Sequence, residues 1–129
     1  MPERLECELL QKARYINTLT YLLYAASAWW GFTTATDRQR LEALIKRGIR
    51  SGLCGADVST LTEMVDSADY ALFKLILYNP NHVLHSLLHD LNATGHYFRH
   101  RRHDRVLPPQ TGSLQISNFL IRQLYEDSY

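Results

Sequence analysis

Apolar residues recur at helical spacing through most of this chain, and the pattern predicts helices alone. Leu5, Leu9, Ala13, Ile16, Leu23 and Ala26 repeat along a first segment from about Glu3 to Trp30, and Leu10, Leu19 and Leu22 widen the stripe. Pro2 suits the start of this helix and Gly31 its end, while Asn17 and Thr18 are weak helix formers that mark a place for a break. A second helix follows, capped by Thr34 or Thr36 and begun by Asp37, with Leu41, Leu44, Ile45, Ile49 and Leu53 on one face. Gly48 lies on that face, where a neighbouring helix could approach closely, and Gly52 and Gly55 end the segment.

The third helix starts near Asp57 or Ser59, with Glu63 as a first-turn acid. Leu61, Met64, Val65, Ala68, Leu72, Leu75 and Ile76 form its apolar face, and Asp66 and Asp69 are placed outside. The Asn79-Pro80-Asn81 run stops it, because proline has no N–H to continue the ladder. A short helix over His82 to Leu91 comes next, with Val83, Leu84, Leu87 and Leu88 inward. Periodicity is lost over 92–113, a long loop with Gly95, Pro108-Pro109 and Gly112; loops of this length in a compact domain are commonly functional. A last helix from Leu114 to about Tyr125 aligns Ile116, Phe119, Leu120 and Leu124. The prediction is an all-α, irregular bundle of four to five helices. It comprises a helical region over 1–91, a basic loop over 92–113 and a C-terminal helix over 114–129 packing on the same domain.

Composition adds little to this picture. With 129 residues and a formal net charge of +1, the chain has the size of one domain and no global charge bias. Cys7 and Cys54 are far apart with no CxxC spacing, which fits two reduced thiols in an intracellular protein, nuclear or cytoplasmic. Glutamates crowd the N-terminus where a secretory signal needs basic residues. The most apolar run, Leu19 to Phe32, is shorter than the roughly 20 residues a membrane span needs.

Local charge matters more. Arg99, Arg101, Arg102 and Arg105 with Asp104 make the loop strongly basic, and Tyr97 and Phe98 beside them could stack on a base. Arg40, Lys46, Arg47 and Arg50 cluster on the polar face of the second helix. Either group could follow a phosphate backbone, and either could equally be a solvated face. His82, His85 and His89 fall at i, i+3, i+7, but a structural zinc site usually draws on cysteine at tight spacing and none is near. The chain offers no HExxH, no GxSxG, no phosphate-cradling glycine loop and no paired carboxylates fit for two-metal chemistry. These residues do not describe an enzyme or predict a bound cofactor.

Several stretches together resemble the C-terminal part of non-LTR retrotransposon reverse transcriptases of the jockey-like or tick-transposon type. They are LTYLLYAASAWWGFTTATDRQRLEALIKRGIRSGLCGAD at 19–57, ALFKLILYNPNHVLHSLL at 71–88, RHRRHDRVL at 99–107 and NFLIRQLYEDSY at 118–129. The resemblance implies a helical thumb and post-thumb segment that grips an RNA–DNA or DNA duplex by its phosphates. It carries Arg38, Arg40, Lys46, Arg47, Arg50, Arg99, Arg101, Arg102 and Arg105 over as contacts, with Trp29, Trp30, Gly31 and Phe32 as a structural joint between helices. The family's catalytic aspartates, including an aromatic-Ala-Asp-Asp motif, and the Mg2+ they hold belong to a palm absent from this sequence, so no polymerisation is expected of the chain itself. The poorer fit of residues 1–18 implies a truncated copy. The alternative expectation, from another class, is a helical protein-interaction module that self-associates through exposed apolar faces.

Overall fold

The computed structural model describes residues 2–91 and 103–126. It is an all-α bundle of six α-helices with no sheet among the described residues: α1 (Pro2–Tyr24), α2 (Ala26–Trp29), α3 (Ala35–Arg50), α4 (Leu61–Tyr78), α5 (Ser113–Ser117) and α6 (Phe119–Tyr125). Short 3-10 turns at Trp30–Phe32 and His85–Leu87 complete it.

The strongest local signals set the helix boundaries. Thr34 caps α3 and Thr60 caps α4, each in a capping box whose N3 acid, Asp37 or Glu63, reaches back to the cap N–H. At the end of α3, Gly52 adopts φ 66°, the left-handed conformation that disfavours a Cβ. Its N–H reaches the Ile49 carbonyl while Leu53 N–H reaches that of Gly48, the paired bonds of a Schellman ending.

Other expectations are corrected. The first helix does not run unbroken to Trp30 and does not break at Asn17-Thr18; Thr18 and Thr20 satisfy their hydroxyls on carbonyls one turn back, and the break falls at Ala25. The predicted helix over His82–Leu91 is a series of turns around His85–Leu87, because the ring of His82 takes the Leu84 N–H that a helix would use. The last helix is two pieces, since Asn118 leaves helical geometry and its side chain accepts from Leu120 N–H to start α6 afresh. Of the basic loop over 92–113, residues 92–102 lie outside the described residues, and the rest runs extended past an antiparallel bridge between Leu91 and Arg105.

Two apolar clusters share α4. Its N-terminal half contributes Leu61 and Val65 to a cluster with Ala26, Trp30 and Ile45, against which Leu19, Leu23, Leu41 and Ile49 pack. Its C-terminal half contributes Phe73 and Ile76 to a cluster with Phe119 and Leu124. The buried face of α4 is Leu61, Val65, Asp69, Phe73 and Ile76, so Asp69 is inside and the exposed Leu75 is not. Both placements reverse the sequence reading.

Candidate functional site

The nine basic residues expected on nucleic acid do not form one surface. Arg38 is committed to the joint between α2 and α3: its guanidinium lies 4.4 Å over the Trp30 ring, its Nε donates to Thr33 Oγ1 at 2.9 Å, and a terminal nitrogen donates to the Trp30 carbonyl at 3.2 Å. Arg105 is likewise engaged, donating to the His89 carbonyl at 3.2 Å. Arg99, Arg101 and Arg102 lie outside the described residues. Arg40, Lys46, Arg47 and Arg50 are exposed on α3, where Arg47 and Arg50 meet the negative end of the helix dipole.

The joint holds three of the four residues expected of it. Trp30 is buried and meets Trp29 edge-on, with centroids 5.9 Å apart at 67°. Gly31 is pressed against the end of α5, where a Cβ would overlap the Ser117 carbonyl oxygen. Phe32 is corrected: it points outward and is 53% exposed. A close approach also explains Gly48, since the Tyr15 ring of α1 occupies the place of its missing side chain and the Tyr15 hydroxyl donates to the Leu44 carbonyl at 2.9 Å. Burial, and then Cys54 beside it, pushes the Tyr15 phenol above its ordinary pKa.

The polar centre of the molecule is one the sequence reading missed. Asp69, buried between the two apolar clusters, accepts from Arg122 at 3.0 Å and from the Ser27 hydroxyl, while Arg122 also donates to the Ser27 carbonyl at 3.1 Å. This ties α2, α4 and α6 together. The signal was present: position 69 is four residues after Val65 and four before Phe73, on the buried stripe.

The histidines serve as local fasteners. His85 Nδ1 donates to the Ile76 carbonyl at 2.7 Å, which fixes that tautomer. His103 is buried edge-on against Phe73; its Nδ1 accepts from Arg105 N–H, so Nε2 carries the proton and donates to the Leu124 carbonyl at 2.8 Å. No group of three or more metal-ligating residues occurs among the described residues.

The largest unpacked apolar feature is the outer face of α1. Leu9, Leu10, Ile16, Tyr21 and Tyr24 are 66%, 61%, 52%, 78% and 89% exposed. Tyr15, Leu19 and Leu23 on the same helix turn into the bundle.

No family model, curated protein or solved structure matches the chain. The descriptions that came with the resemblance are corrected on this finding. Reverse transcriptase, RNA-directed DNA polymerase, non-LTR retrotransposon, transposable element, thumb domain and nucleic-acid binding have no matching relative behind them.

Proposed function

We propose that this chain is a helical protein-interaction module whose partner is a second copy of itself, joined through the N-terminal half of α1. The observation that carries the reading is the exposed stripe. Leu9, Ile16 and Leu23 recur every seven residues, the repeat of a helix-pairing seam. Leu23 packs in the protein's own core, whereas Leu9 and Ile16 continue the line beyond it and stay exposed.

Charge points to a second copy. Glu3, Glu6 and Glu8 fall in the opening turns of α1 and Lys12 and Arg14 in the turns that follow. Two such helices crossing antiparallel near Leu9 and Leu10 set each acidic end beside the other's basic turn; a parallel pairing would set like against like. Burying a side chain such as leucine or isoleucine contributes roughly 1.5–3 kcal/mol when it starts fully exposed, and these start about half to two-thirds exposed. Set against the cost of association, this predicts a weak dimer, with a dissociation constant on the order of tens to hundreds of micromolar.

Sedimentation velocity over a concentration series is the test. The expected result is a monomer–dimer equilibrium, weakened by added salt and abolished by Leu9→Glu with Ile16→Glu, whose exposed positions leave the fold intact. A single monomeric species throughout, into the millimolar range, overturns the reading. So does a dimer indifferent to both substitutions. A parallel anisotropy titration with an RNA–DNA hybrid at low salt covers the rival: saturable binding lost in Arg40→Glu with Arg47→Glu, by a protein that stays monomeric, would replace it.

A further inference from the structure

A second feature lies away from α1, where the outer side of α4 meets the end of α6. A cavity of about 300 Å3 opens there, lined by Asp66, Ser67, Tyr70, Gln123 and Glu126. That is the lower end of the range for small-molecule sites. Asp66 and Tyr70 are one turn apart on α4; Gln123 and Glu126 are one turn apart at the end of α6. The site is therefore assembled by the packing of the two helices.

Gln123 decides what it would take. Its residue is 96% buried, being 4% exposed, and its side-chain oxygen has no hydrogen-bond partner in the protein. A buried amide oxygen is costly to leave unpaired and can be satisfied only by a donor. Asp66 and Glu126 add two carboxylates, which also accept and carry negative charge. Tyr70 supplies an aromatic wall, a surface that attracts cations. The neighbouring Arg122 directs its terminal nitrogens to Asp69 and Ser27. The lining thus asks for positive charge and N–H donors together.

We propose that this cavity binds an organic cation with N–H donors, a primary ammonium or a guanidinium. A bare divalent ion fits poorly. No set of three metal-ligating side chains comes together among the described residues, and a metal needs oxygens closing to about 2.0–2.6 Å rather than a cavity of this size. The donor comes either from a free small amine or from a lysine or arginine side chain of another protein.

An amide-resolved NMR titration of the whole chain tests this. The probes are agmatine as the free amine and an acetyl-Gly-Arg-Gly-amide peptide as the side-chain form. Choline, a cation without N–H donors, and calcium chloride are the comparisons. Agmatine, the peptide or both should give saturable shifts concentrated at the amides of 66–70 and 123–126, and the tighter of the two names the source. Asp66→Asn and Glu126→Gln, both at exposed positions, should each weaken binding about two- to fivefold. Choline should bind more weakly than agmatine. The proposal is overturned if neither probe saturates up to tens of millimolar, or if the double variant binds as well as the wild type. It is equally overturned if choline or calcium binds as tightly as agmatine. None of these readouts depends on whether α1 dimerises.

Discussion

Replacing Arg122 with methionine should be among the most damaging single changes in this molecule. The substitution keeps most of the side chain's bulk, yet leaves the Asp69 carboxylate buried with the Ser27 hydroxyl as its remaining printed donor. Breaking a buried ion pair from one side costs about 3–5 kcal/mol. The Asp69 side chain is 2% exposed but that of Arg122 is 20% exposed, so partial screening brings the expected loss to about 2–4 kcal/mol. That is a large share of the roughly 5–15 kcal/mol that holds a domain folded, and it corresponds to a fall in Tm of about 6–20 °C. Urea unfolding followed by circular dichroism measures it, and Asp69→Leu with Arg122→Met completes a cycle. The paired apolar replacement should recover most of the loss, because the penalty comes from stranding one charge rather than from lacking the pair. Hydrogen exchange should show α6 losing protection before α3, since the pair ties α6 to α2 and α4. A loss under about 0.5 kcal/mol for Arg122→Met, or strictly additive effects in the cycle, would refute this reasoning and mean that water already solvates the carboxylate.

Two further predictions concern α3. Gly48→Ala should destabilise the wild type by about 1–3 kcal/mol through collision with the Tyr15 ring, but should be neutral or stabilising in a Tyr15→Ala background, where helix propensity then favours alanine; thermal melts of the four proteins decide. Thr34→Ala should cost about 1 kcal/mol by removing the cap. Thr34 also holds the Asp37 carboxyl below its ordinary pKa, first through the side-chain bond and then through its backbone N–H. A depressed carboxyl contributes stability that is fully present above the ordinary carboxylate range and lost as pH falls through the lowered value. Acid unfolding of Thr34→Ala should therefore lose this increment of pH dependence; an identical profile would count against the cap.

What the chain's own spacing determined is local. The helices over α3 and α4 were readable because their caps, first-turn acids and terminal glycine act within a few residues of themselves, and such contacts do not depend on what packs outside. Gly48 was readable as a place of close approach, though its neighbour, Tyr15, was not. Tertiary structure decided the rest. Charge alone put Asp69 outside, and only Arg122, 53 residues later, makes its burial tolerable. Arg38 has the composition of a phosphate contact, yet the Trp30 ring and carbonyl claim it first. In α1 the sequence gives a single long apolar stripe, and no local rule says where cover ends: the helix runs past the edge of the bundle, so Leu19 and Leu23 are packed while Leu9 and Ile16 face outward. Periodicity fixes which side chains share a face, because backbone geometry is local. Whether that face is buried depends on partners distant in sequence.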